Sequence, residues 1–204
     1  MIHDPQEPVA PERFVADVLH NRFNRVIVER LADLRLPDVW LVAGCLFQTV
    51  WNLRSGQPAE AGIRDYDIFY FDGDDLSEQA EAAVGRRAAA LFADLGVPIE
   101  IKNQARVHLW YEGYFRQPYS ALRSACEGID RFLVGCTAVG IQPLAAEPCS
   151  SHIVYAPYGL HDLYRGVLTR NPQIAHGPLF ERKCLDYQAR WSWLTIEPAD
   201  PAHP

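Results

Sequence analysis

Between residues 39 and 102 three short apolar runs, VWLVAG (39–44), DYDIFYF (65–71) and VPIEIK (97–102), alternate with two stretches whose apolar residues recur at helical spacing. Such runs, rich in β-branched and aromatic side chains and closed by turn residues, read as strands. The stretch from Cys45 to Arg54 carries Leu46, Val50 and Leu53 as one stripe and is broken by Ser55-Gly56-Gln57-Pro58. Ser77 is placed to cap a long Ala-rich helix running to about Leu95, and Gly96 to stop it. The order β-α-β-α-β implies a sheet covered by helices.

Upstream, Pro11-Glu12 opens a helix carrying Phe14, Val15, Val18 and Leu19. A second helix carries Phe23, Val26, Ile27, Leu31 and Leu34, with Pro37 as its expected end. Residues 1–11 are expected to be a flexible tail and 12–204 a single domain. Beyond residue 103 the pattern weakens. QARVHLWYEGYF (104–115) fits neither a helix nor a strand cleanly, and its aromatics are read as core packing. DRFLVGCTAVGIQPL (130–144) suggests one or two strands broken at Gly135, HIVYAP (152–157) another strand, and 159–168 and 179–194 helices. Tyr187, Trp191 and Trp193 on the last of these mark either a dimer face or a core edge, and the oligomeric state is left open.

Apolar residues make up 49% of the 204, enough for a core without disulfide staples. The net charge of -7 argues against sequence-blind binding of long nucleic acid, which needs clustered Lys and Arg. Five cysteines, none in a C-x-x-C arrangement, read as reduced thiols rather than a zinc site. The acidic, proline-rich start lacks the pattern of a secretory signal, and no run is long enough to span a membrane, so a cytoplasmic protein with no membrane partner is expected.

The chemistry concentrates in two strands. Side chains alternate along a strand, so Asp65 and Asp67 point to one side, roughly 6.6 Å apart at ~3.3 Å per residue. Glu100 lies between Ile99 and Ile101, which puts it on the face opposite the core. Three hard oxygen donors from two strands suit Mg²⁺ or Mn²⁺. Without a cation, two anions beside an apolar strand repel and desolvate each other. D-x-D alone is a common chance pattern, and an edge-strand glutamate is often only a solvated residue. The combination is more specific than either part. Ala43-Gly44-Cys45 joins the first strand to a helix. A glycine there lets the backbone approach a phosphate at a helix N-terminus, although a plain tight turn explains it equally well.

The order strand, Gly44, helix, Asp65-x-Asp67, helix, apolar-Glu100-apolar resembles the DNA polymerase β-like nucleotidyltransferase superfamily. AGCLFQTVWN (43–52), GIRDYDIFYFD (62–72), NQARVHLWYE (103–112) and YGLHDL (158–163) are similar to a bacterial family of nucleotidyltransferase-like proteins within it. The resemblance implies an α/β (α+β) minimal nucleotidyltransferase fold, a mixed β-sheet with helices packed mainly on one face. It implies Gly44 and Cys45 at the nucleotide phosphates, and Asp65, Asp67 and Glu100 as metal ligands and catalytic carboxylates, with Glu100 able to deprotonate an acceptor hydroxyl. Two departures stand out. Cys45 replaces the usual Gly or Ser, and Gln57 to Gly62 forms an extra loop.

Arg64, Lys102, Arg106 and His108 are the further candidates for nucleotide contacts. Lys102 shares strand parity with Glu100. Arg64 reads equally well as an exposed flanking charge, and Arg106 and His108 stay undecided. The expected activity is metal-dependent transfer of a nucleoside monophosphate from an NTP to a hydroxyl of a small molecule or protein, releasing pyrophosphate. A non-catalytic nucleotide-binding protein on the same fold and a metal-dependent phosphohydrolase are the alternatives.

Overall fold

The computed structural model describes residues 8–144, 152–174 and 177–197. Helix α1 (Pro11–Val18) starts at its proline and buries Phe14 and Val18. Helix α2 (Arg22–Arg30) is capped by Asn21, whose side chain accepts hydrogen bonds from the Phe23 and Asn24 amides. The chain leaves α2 through a 3-10 turn that closes at Arg35, in the left-handed region with φ 50°. The second helix therefore stops before Pro37, the expected terminator.

Strand β1 (Trp40–Val42), helix α3 (Gly44–Arg54), strand β2 (Tyr66–Tyr70), helix α4 (Glu78–Leu91) and strand β3 (Ile99–Asn103) reproduce the expected alternation. Ser77 caps α4 by accepting from the Ala80 amide, and Gly96 takes the left-handed conformation after it. The ambiguous stretch resolves into a 3-10 turn at Gln104–Arg106 followed by helix α5 (His108–Phe115). Helix α6 (Ala125–Ile129) carries no sequence signal beyond Ser124, which accepts from the Glu127 amide. The segment 130–144 supplies one strand, β4 (Gly140–Pro143), after a 3-10 turn at Gly135–Thr137. Strand β5 (His152–Tyr155) follows. The helix expected over 159–168 is only α7 (His161–Arg165), because Gly166 at φ 75° turns the chain into strand β6 (Val167–Leu168). Helix α8 (Gly177–Arg190) and strand β7 (Thr195–Ile196) complete the described elements.

Five strands form one sheet in the order β3-β2-β1-β4-β5, and β6 pairs with β7 separately. Only β2 and β3 run parallel within the large sheet; β1 is antiparallel to both β2 and β4, and β4 to β5. The sheet is thus mixed. On one face Leu41, Ile68, Tyr70, Ile101 and Ile141 meet the apolar sides of the helices in the main core. The other face carries a smaller cluster of Trp40, Val42, Ala125, Ile129 and Ala138, covered by short α6. This is the minimal nucleotidyltransferase arrangement, with helices gathered on one face and the other left largely open.

Buried amides tie the helical layer together. Asn21 Nδ2 donates to Thr49 Oγ1 at 3.1 Å, and Asn24 Nδ2 to the Cys45 carbonyl at 2.9 Å, fixing the α1–α2 corner against the start of α3. Trp191, just after α8, is buried in the main core, and Tyr187 and Trp193 pack partly buried against it. Cys45, Cys126, Cys136 and Cys184 are free thiols, while Cys149 lies outside the described residues.

Candidate active site

The burial of β2 alternates strictly. Tyr66, Ile68 and Tyr70 enter the helical core, which turns Asp67 and Phe69 to the open face. Parallel pairing places Asp67 opposite Glu100 and Phe69 opposite Lys102, while antiparallel pairing places Val42 opposite Asp67. One row across the open face therefore reads Val42, Asp67, Glu100. At the strand spacing of ~4.8 Å, Asp67 and Glu100 are lateral neighbours. Asp67 has its pKa raised from 3.8 to about 7, first by burial and then by the charges of Asp65 and Glu100. Lys183 and Lys102 pull the other way and do not compensate.

Asp65 and Asp67 line a cleft of about 500 Å³ whose floor includes Ala43, Gly44 and Gln48 from the start of α3. Ala43 has φ 64° and ψ −133°, a conformation that a Cβ resists, and its side chain offers no cap. The first amides of α3 are thus left without a side-chain acceptor at the mouth of the cleft, where the helix end favours an anion. Gly44 keeps the helix start close to the Gln48 side chain. A Cβ on it would come within 2.8 Å of Gln48 Nε2. Gln48 is itself held by Arg190, which donates to its Oε1 at 2.6 Å.

The opposite wall comes from elements beyond residue 103, which the sequence pattern did not connect to the site. Lys183 and Tyr187 reach in from α8, Tyr111 and Phe115 from α5, and Arg131 and Thr137 from the segment before β4. Burial lowers the pKa of Lys183, with Asp67 the largest opposing influence. It is the cation that faces Asp67 from across the cleft, and no motif around it marked it in the sequence. None of the α5 side chains is fully buried. The aromatics expected to pack in the core instead wall the cleft or meet solvent, because α5 sits at the rim of the open face and not beneath the sheet.

The expected residues separate into two groups. Gly44, Asp65, Asp67 and, by register, Glu100 and Lys102 share one face of the sheet. Glu100 and Lys102 are exposed on edge strand β3 and do not line the cleft itself. Arg64 is exposed beside Asp65. Cys45 turns inward. Its thiol donates to the Val42 carbonyl at 3.3 Å and burial raises its pKa, so only its backbone belongs to the helix start. Arg106 is buried against α4, ion-paired with Glu81 and donating to the Leu76 carbonyl, and is not brought to the cleft. His108 opens α5 with a buried, unpartnered Nδ1 and likewise does not line it.

Among the described residues, no group of three or more His, Cys, Asp and Glu side chains forms a ready cation cage. The donor set still fits a hard divalent ion. Mg²⁺ in phosphoryl-transfer sites is usually held by one or two carboxylates together with substrate phosphates and water. Asp65 and Asp67 supply two such carboxylates, and Asp67, whose pKa is raised first by burial and then by the charges of Asp65 and Glu100, would be relieved by a cation. No helix among the described residues is long and apolar enough to cross a membrane.

A search of curated proteins gives no match to the chain. A solved structure described as an NMR structure revealing a CCA-adding enzyme head domain superposes with a TM-score of 0.71 at 21% identity, covering 93% of this chain and 97% of that one. That likeness is one of fold. The family model described as Nucleotidyltransferase matches residues 29–196, from the end of α2 to β7 and so across every element that builds the cleft. On that match the chain belongs to the nucleotidyltransferase family.

Proposed function

We propose that the protein transfers a nucleoside monophosphate from an NTP to a hydroxyl group on a small molecule or protein. The observation that carries this reading is the meeting of Asp65 and Asp67 with the uncapped start of α3 in one cleft, faced by Lys183. The α3 amides and the Gln48 side chain would hold the phosphates, and Lys183 would offset their charge. Asp65 and Asp67 would hold Mg²⁺ or Mn²⁺, with Glu100 beside them in the row, and the ion would supply neutralisation of the phosphate charge during transfer. Glu100, exposed on β3 and opposite Asp67 in register, would take the acceptor proton. The acceptor oxygen bonds to the α-phosphorus, the bond from that phosphorus to the bridging oxygen breaks, and pyrophosphate leaves. The net charge of -7 supports a small-molecule or protein acceptor over long nucleic acid. Narrower membership in the bacterial group of nucleotidyltransferase-like proteins is part of this proposal.

A thermal-shift titration tests the reading, with Mg²⁺ or Mn²⁺ plus each NTP, on wild type and on Asp65→Asn/Asp67→Asn. A nucleotide at ~100 times its Kd stabilises the native state by about 2.7 kcal/mol, which a melting curve resolves easily. The expected result is a metal-dependent shift in wild type that the double variant loses. An NTP shift that survives in the double variant would remove these carboxylates from the site. Binding without pyrophosphate release across a panel of acceptors would turn the reading to the non-catalytic alternative.

A further inference from the structure

The cleft continues past the carboxylates. Tyr111, Phe115, Arg131 and Leu133 form a wall that it shares with a second hollow of about 470 Å³, closed on its far side by Pro118, Tyr119 and Ile174. The shared wall and its neighbour form one packed aromatic cluster along the side of this hollow. Tyr111 lies 4.6 Å from Phe115 and 4.3 Å from Tyr119 between ring centroids, and the Arg131 guanidinium stands 4.4 Å above the Tyr119 ring. Gln117 and Gln173 also line this hollow, and apart from them and Arg131 its lining is aromatic or aliphatic. Flat π-faces with a few polar groups at the rim suit a planar heterocycle better than a phosphate or a sugar.

We propose that this annex receives the nucleobase of the NTP, stacked against the open side of the Tyr111–Phe115–Tyr119 cluster beside Arg131. The inference rests on the nucleotide reading above and adds where the base lies. The topology separates the two ends of the reaction. Leu133 leads through the Gly135–Thr137 turn into β4, which pairs with β1, so the annex adjoins the β1–β4 side of the sheet. Glu100 stands on β3, two strands away from β1 across β2. An acceptor that must give its proton to Glu100 approaches from the β3 side. The donor, with its phosphates at Gly44, then extends its base the other way, toward Arg131 and Tyr119. Aromatic stacking accepts any base, so the hollow predicts affinity for all four NTPs with modest discrimination among them.

Isothermal titration with two probes separates the base from the phosphates. Each NTP and inorganic tripolyphosphate, both with Mg²⁺, are titrated into wild type, Tyr119→Leu, Tyr119→Phe and Arg131→Met. We expect Tyr119→Leu to weaken every NTP by about tenfold or more, the scale of one lost stacking face, with tripolyphosphate unchanged. Tyr119→Phe keeps the ring and should bind as wild type. Arg131→Met should weaken NTPs alone, and it carries the test if Tyr119→Leu does not fold. The inference is overturned if both variants bind NTPs like wild type, an outcome that leaves the nucleotide reading standing. It is also overturned if NTP and tripolyphosphate weaken equally, because the residues would then act on the phosphates or on the fold. If wild type binds neither probe, the nucleotide reading fails and this inference falls with it.

Discussion

Asp67 concentrates the conflict between stability and function in one side chain. It is part-buried, next to Asp65 and opposite Glu100, and its pKa is raised to about 7. In the unfolded chain the same group titrates near its ordinary value of 3.8. Below that value both states hold the proton and no difference arises. Between there and about 7 only the folded state holds it, so stability falls as pH rises, and above 7 the full penalty is in place. Asp67→Asn removes the charge and keeps the shape. It should raise the Tm of the metal-free protein at alkaline pH, with each kcal/mol recovered worth about 2–4 °C at this chain length. At a pH below the ordinary carboxylate value the gain should vanish, and melting curves at both pH values check it. A variant as stable as wild type at every pH would mean that Asp67 is solvated like an ordinary surface carboxylate. The same substitution should abolish the metal-dependent NTP shift, the opposed pair of effects expected where a site holds charge for its ligand.

At the scale of elements, the α4–β3 pair shows how a residue that is a candidate nucleotide contact in sequence is engaged elsewhere in the fold. Glu81 on α4 accepts from the Asn103 amide at the end of β3 at 2.9 Å and pairs with buried Arg106 in the next turn. Removing one partner of such a pair leaves a charge without a counterpart and typically costs about 3–5 kcal/mol. Glu81→Ala should lose that much by urea denaturation, and below its melting point should bind Mg²⁺-NTP with wild-type affinity. A tenfold loss of NTP affinity at unchanged stability would return Arg106 to the nucleotide. Arg106 also marks the limit of what was legible from sequence. Strand parity is a local property, so the shared face of Asp67, Glu100 and Lys102 and the turn at Gly44 could be read directly from residue spacing. Lys183, Arg131 and the α5 wall reach the cleft only through contacts far apart in the chain, and no local period encodes those. The short helices α6 and α7 escaped or were overextended for a related reason. Helices of five residues carry too little apolar periodicity to be told from a turn, and Gly166 ends α7 where the hydrophobic spacing alone would continue it.

Taken whole, the molecule relies on its C-terminal helix both for its core and for its cleft. Apolar side chains from Phe14 in α1 to Leu194 after α8 belong to one continuous core. Trp191 sits at its C-terminal side, 5.2 Å from Trp51 between ring centroids, and donates through Nε1 to Asn52 Oδ1 at 3.1 Å. Asn52 in turn donates to the Ala59 and Ala61 carbonyls and so anchors the loop that leads to Asp65. A core shared in this way has no internal seam along which part of the chain would unfold first. Trp191→Ala should therefore shift a single unfolding transition, coincident by tryptophan fluorescence and far-ultraviolet circular dichroism, by about 3–5 kcal/mol, the usual cost of truncating a buried aromatic. It should also weaken Mg²⁺-NTP binding, because Lys183 and the Arg190 contact with Gln48 are carried on the same helix. Two separated transitions in the variant would show that α8 folds as a unit of its own. A stability loss with untouched NTP affinity would mean that α8 closes the core without arming the cleft, and would take Lys183 out of the nucleotide site.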